Sequence, residues 1–136
     1  MKLKIGYQEL IQGAMAEIET IPLELAQVLL TDSNVVFVDI RDVRELEREG
    51  MIPNALHAPR GMLEFWVDPD SPYYKPIFGV GKRLVLYCAS AWRSALAAQT
   101  LQRMGVPNVC HVEGGFSAWK KAQLPMVEKV SKPHSG

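Results

Sequence analysis

The chain predicts an α/β fold, a central and mainly parallel β-sheet flanked by helices, on three observations. Short apolar runs at residues 35–40, 83–87 and 108–112 alternate with segments of helical spacing, the order that lays parallel strands between helices. The first two runs are apolar without alternation, as strands covered on both faces are. Asp39 and Cys88 fall at the ends of these two runs, and open α/β sheets place their sites at the C-terminal ends of their strands.

Each element has its own signal. Tyr7, Leu10, Ile11, Met15 and Ile18 share one helical face over residues 7–19. Thr20-Ile21-Pro22 breaks that helix, and Pro22 is suited to open the next one at its first position. Leu23, Leu25, Ala26, Leu29 and Leu30 continue with helical spacing up to the turn cluster Thr31-Asp32-Ser33-Asn34. A strand over residues 35–40 leads into a charged helix over 42–49 and a turn over 49–55. Residues 59–81 are rich in proline and glycine yet hold Trp66, Tyr73, Tyr74 and Phe78. They are expected to form an irregular loop packed on the body. After the second strand, an amphipathic helix over 94–104 ends at Gly105 with Pro107 beyond. A third strand (108–112), a Gly114-Gly115 turn and a helix over 116–122 complete the order. The expected organisation is an N-terminal helical extension (1–20), one domain (21–127) and a frayed polar tail (128–136).

Composition narrows the class. One compact domain is what 136 residues support, with a core large enough to need no staples. Fifteen basic and fifteen acidic residues cancel, so neither nucleic acid nor an anionic membrane is an expected partner. No apolar run reaches membrane-spanning length and residues 1–6 lack an apolar signal core. Cys88 and Cys110 do not make a disulfide framework, which points to a reducing cytoplasm.

The chemistry concentrates at residues 85–98, where a strand ends on Cys88, a short loop of small residues follows, and Arg93 and Ser94 open an alanine-rich helix. That order sets a thiol over a helix N-terminus beside a fixed cation. The helix end offers partial positive charge and unpaired N–H donors. Both favour the thiolate, the reactive form, and the same donors hold small anions. A cysteine-based enzyme acting on a small anion or on sulfur is the reading.

Four stretches resemble a single-domain rhodanese, the sulfurtransferase family, over residues 21–127. They are Val38-Asp39-Ile40-Arg41-Asp42 with Glu45 following, residues 50–61 with their Met51-Ile52-Pro53-Asn54-Ala55 turn, the loop from Cys88 to Ser94, and Val112-Glu113-Gly114-Gly115-Phe116-Ser117-Ala118-Trp119. The resemblance implies a small α/β domain whose Cys88 accepts a sulfane sulfur, as from thiosulfate, holds it as a persulfide and passes it to cyanide or a thiol. It implies no cofactor. Backbone N–H groups of Ala89, Ser90, Ala91, Trp92 and Arg93 would hold the anionic sulfur, with small side chains allowing close approach and Arg93 adding charge suited to an oxyanion donor. No histidine base is expected. Four residues separate Cys88 from Arg93, whereas cysteine-dependent phosphatases and arsenate reductases carry five, so tetrahedral phosphate is a poor fit.

Three positions depart from the family pattern. Ala91 stands where many members have glycine, and a positive φ there costs alanine about 1–2 kcal/mol. Met51 replaces a histidine, and Asn54 replaces a turn glycine while tolerating the left-handed region. Asp39 and Arg41 are expected to brace the loop rather than react, and His57 to make a structural hydrogen bond. Arg60 is placed at the pocket mouth or as a plain solvated arginine. Cys110 reads as core, and with His57 and His111 it has no metal-ligand spacing, so no metal is expected. The alternative to an enzyme is a catalytically weak module that binds a protein, or relays sulfur to a protein acceptor.

Overall fold

The computed structural model describes residues 1–130. Five parallel strands form one sheet in the order β1-β5-β4-β2-β3. They are β1 (Glu19–Ile21), β2 (Val35–Asp39), β3 (Leu56–His57), β4 (Arg83–Tyr87) and β5 (Val109–Val112). Six helices surround them: α1 (Tyr7–Glu17), α2 (Leu23–Leu29), α3 (Val43–Glu49), α4 (Leu63–Val67), α5 (Trp92–Met104) and α6 (Gly115–Lys121).

Two apolar layers cover the sheet. On one face Leu84, Leu86 and Cys88 meet Ala95, Ala97, Ala98 and Leu101 of α5, with Ala14 of α1 and Leu63 of α4. On the other, Val85, Tyr87, Cys110 and Val112 meet Ala26 and Leu29 of α2 and Phe116 and Trp119 of α6. The alternation along β4 follows from the two-residue period of a strand. Alanines on the inner face of α5 let that helix lie close to the sheet, and Gly105 ends it in the left-handed conformation. α3 begins with a capping box in which Asp42 accepts from the Arg44 amide and Glu45 from the Asp42 amide.

Some sequence expectations are corrected. The first helix ends at Glu17, and Glu19 to Ile21, expected as helix end and breaker, form β1 because β5 offers them a parallel partner. The 59–81 stretch is packed as expected but is not wholly irregular: it contains α4 and two 3-10 turns, Arg60–Met62 and Pro76–Gly79. Leu63 and Val67 anchor it in the core, and the Lys75 ammonium lies 4.7 Å from the Trp66 ring centre. β3 was also unanticipated and pairs along the outer side of β2. Of the expected frayed tail, residues 131–136 lie outside the described residues. Among the described residues no helix is long and apolar enough to cross a membrane.

Candidate active site

β4 delivers Cys88 to the end of the central strand, facing α5. The turn into the following loop is held from the α6 side. The Phe116 and Ser117 amides donate to the Cys88 and Ala89 carbonyls at 2.8 and 2.9 Å. Gly115 makes this approach possible: its φ is 63°, and a Cβ there would lie 2.7 Å from both carbonyl oxygens. Here Gly115 of the Gly114-Gly115 turn serves the loop directly, a role sterics assign to glycine.

The loop itself bends at Ala91, which takes φ 73° and ψ 0° as the residue preceding α5. Alanine thus occupies the left-handed conformation that glycine would adopt freely. Asn54 does the same at φ 63°. Among the described residues, no protein acceptor takes the amides of Ala89, Ser90, Ala91, Trp92 or Arg93. Five donors are therefore free at the start of α5, beside the thiol.

Behind the thiol the polar groups are fully used. Cys88, Ser94 and His111 are completely buried. The Ser94 amide donates to Cys88 Sγ at 3.4 Å, and Ser94 Oγ lies 3.6 Å from the same sulfur. Ser94 Oγ is 2.8 Å from His111 Nδ1, and His111 Nε2 is 2.8 Å from Thr20 Oγ1. β1 and β4 flank β5 so that Thr20, His111 and Leu86 lie abreast. Burial pushes the His111 pKa down to about 4, leaving a neutral ring at ordinary pH. Sequence reasoning placed no histidine at the thiol; the ring does not touch it but reaches it through one hydroxyl. Ser94, His111 and Thr20 were missed as site residues. The only sequence signal was a serine in the first turn of the helix that follows the loop.

The second thiol provides a contrast. Cys110 is equally buried, on the opposite face of the sheet, and burial pushes its pKa up.

The rim is charged and partly exposed. Arg93 Nη1 and Nη2 donate to the two Glu45 oxygens at 2.7 and 3.0 Å, and this contact holds the Glu45 carboxyl below its usual range. Arg93 therefore reaches the rim with its charge already balanced by Glu45. Glu45 ties α3 to the start of α5. Arg60 is exposed and its side chain makes no hydrogen bond or ion pair among the described residues; it borders a concavity of about 310 Å³ with Tyr7, Ile11, Trp92, Arg93 and Leu96. Trp92 packs on Tyr7 with ring centres 5.1 Å apart.

Asp39 and Arg41 form a buried pair. Arg41 Nη2 donates to Asp39 Oδ2 at 2.7 Å and also to the Gly50 carbonyl at 2.7 Å, while His57 Nε2 contacts the Arg41 carbonyl at 2.7 Å. The guanidinium lies 4.4 Å from the Phe116 ring centre, so the pair reaches the loop through the residue whose amide holds the Cys88 carbonyl. Among the described residues, neither side chain bonds a loop amide.

The chain is similar to known proteins in sequence and fold. The family model for the rhodanese-like domain covers residues 22–122. A protein of Allochromatium vinosum named sulfurtransferase is 33% identical over 103 residues, 76% of this chain and 88% of the relative. An uncharacterized Synechocystis protein is 36% identical over 116 residues, 85% of this chain, which spans 60% of that relative's length. Among solved structures, a Rhodopseudomonas palustris protein described as of unknown function and a possible tyrosine phosphatase is 49% identical, with a TM-score of 0.90 over 93% of this chain and 98% of its own. With a parallel sheet carrying the cysteine loop at its C-terminal edge and the family match spanning most of its length, the chain belongs to the rhodanese-like domain family.

Proposed function

We propose that this protein is a sulfurtransferase that carries sulfane sulfur on Cys88. The Cys88 thiolate attacks the outer sulfur of an anionic donor, for which thiosulfate is the reference. A sulfur–sulfur bond forms at Cys88 as the donor's own sulfur–sulfur bond breaks, and sulfite leaves with that electron pair. A nucleophile, cyanide or a low-molecular-weight or protein thiol, then attacks the terminal sulfur and releases Cys88 as thiolate. The observation that carries this reading is the group of five amides without protein acceptors beside a thiol at a strand end. Such a cradle stabilises an anionic sulfur without a charged side chain. Thr20, Ser94 and His111 provide no charge, and Arg93 is balanced by Glu45. The reading extends to a reducing cytoplasm, where both thiols stay free.

The phosphatase description borne by the Rhodopseudomonas neighbour is disfavoured here by the four-residue spacing between Cys88 and Arg93. A second reading, a binding module that transfers little, is favoured by one observation: Cys88 has no exposed surface.

Intact mass after reduction, brief thiosulfate exposure and desalting separates the two. The expected result is a gain of one sulfur atom, discharged by cyanide, present in Cys110→Ala and absent from Cys88→Ser. A folded protein with a free Cys88 thiol that gains nothing from thiosulfate or from an organic persulfide belongs to the binding reading.

A further inference from the structure

Behind Cys88 runs a line of three side chains that the sulfur chemistry above leaves unused. It starts at the buried sulfur, passes through Ser94 Oγ (3.6 Å) to His111 Nδ1 (2.8 Å), and leaves the ring at Nε2 for Thr20 Oγ1 (2.8 Å). Thr20 is only half-buried, and its hydroxyl also lies 3.8 Å from Met15 Sδ. The line therefore joins a thiol with no solvent contact to a hydroxyl near the surface.

We propose that His111, acting through Ser94, is a tautomeric switch tied to the charge of Cys88. The ring carries its proton on Nε2 when Cys88 is a thiol and on Nδ1 when Cys88 is a thiolate. His111 is a positioning residue in this scheme, since it touches neither donor nor acceptor sulfur.

The donor inventory leads to this directly. A neutral imidazole has one N–H and one bare nitrogen, and a hydroxyl has one proton to give. When Cys88 bears a proton, its S–H donates to Ser94 Oγ, Ser94 O–H donates to Nδ1, and Nε2–H donates to Thr20, whose own proton points toward Met15 or water. When Cys88 is ionised, Ser94 O–H turns to the sulfur and joins the Ser94 amide already there at 3.4 Å. Ser94 Oγ then accepts from Nδ1–H, and the bare Nε2 accepts from Thr20 O–H. Each state satisfies every member of the line, which a buried polar network requires.

The exchange balances. The Cys88 proton passes to Ser94 as the Ser94 proton passes to Nδ1. The Nε2 proton passes to Thr20 as the Thr20 proton passes to water. One proton has left the thiol, and the ring is neutral before and after. Burial keeps His111 from charging instead. The charged side chain nearest the thiol on α5 is Arg93, paired with Glu45 on α3, and the buried Asp39–Arg41 pair spans the end of β2 and the residues just after it. The ring faces only neutral partners on the neighbouring elements, Thr20 on β1 and Ser94 on α5.

The inference rests on Cys88 being the reactive thiol, but its test needs no sulfur transfer. The experiment records imidazole nitrogen shifts of 15N-histidine protein in a Cys110→Ala background, while thiolate absorbance follows Cys88 in the same samples. His57, whose Nε2 contacts the Arg41 carbonyl, serves as the internal reference. The expected result is His111 protonated on Nδ1 wherever Cys88 is a thiolate, and on Nε2 in Cys88→Ser, whose hydroxyl stands in for the thiol, at every pH where the ring is neutral. In Ser94→Ala, where the linking hydroxyl is gone, the ring stops following Cys88. The same His111 tautomer in the thiolate protein and in Cys88→Ser overturns the proposal, as does a ring that becomes charged as Cys88 ionises. Failure of sulfur loading, with the tautomer still following Cys88, would overturn the sulfurtransferase reading and leave the switch standing.

Discussion

The two sides of the Cys88 loop are built on different physics. The inner side is buried around Cys88, Ser94 and His111, and its polar groups are all engaged: α6 amides hold the Cys88 and Ala89 carbonyls, and hydrogen bonds link Ser94, His111 and Thr20. The rim is made of a half-exposed ion pair, an aromatic contact, the free Arg60 and a left-handed alanine. Desolvated hydrogen bonds and steric contact are costly to disturb, whereas exposed pairs contribute about 0–1 kcal/mol. Changes on the inner side should therefore appear in stability, and changes at the rim in how the loop meets a substrate.

The largest expected effect sharpens this contrast through pH. The folded His111 pKa is about 4, below the ordinary 6.5. A neutral ring in the folded state contributes stability that is complete above the unfolded value and is lost as pH falls from about 6.5 toward 4. The loss is on the order of 3 kcal/mol. Urea unfolding across that window should show it, and His111→Gln should flatten the slope; an unchanged slope would remove the ring from the balance. Next comes Gly115→Ala, whose Cβ meets two carbonyl oxygens in a left-handed backbone. A loss of about 2 kcal/mol or more, with weaker sulfur loading, is expected; an unmoved denaturation midpoint would show that α6 does not set the loop. Smallest is Ala91→Gly at the rim. Relief of the positive φ, offset by the added freedom of the unfolded chain, should raise stability by about 0.5–1 kcal/mol. A lowered midpoint would break the comparison by showing that Ala91 is held by contacts rather than strained.

Legibility in the sequence followed the same division between local and distant. β2, β4 and β5 and every helix around them except α4 were readable because each is a contiguous run with its own pattern, whereas the five-residue α4 lies inside a stretch read as irregular. β1 and β3, three and two residues long, exist by virtue of their neighbours and carry no pattern of their own. Likewise Cys88 and its loop lie within seven consecutive positions, with the left-handed bend at Ala91 inferable from what replaced glycine. Glu45 meets Arg93 across 48 positions, and Thr20 meets His111 across 91. Side-chain contacts over such separations leave no local mark. Arg93 was therefore read for its charge without Glu45 as its partner, and His111 only as a residue lacking metal-ligand spacing.

The position of β1 bears on how the domain can be cut. The family match starts at residue 22, immediately beyond β1, whose only neighbour in the sheet among the described residues is β5. A fragment trimmed to that match would strip the cover from β5 and leave its backbone groups on that side as an open edge. Open edges recruit strands from other chains. Such a fragment is expected to self-associate edge to edge, so an assay on the trimmed domain would report on aggregates as much as on the loop.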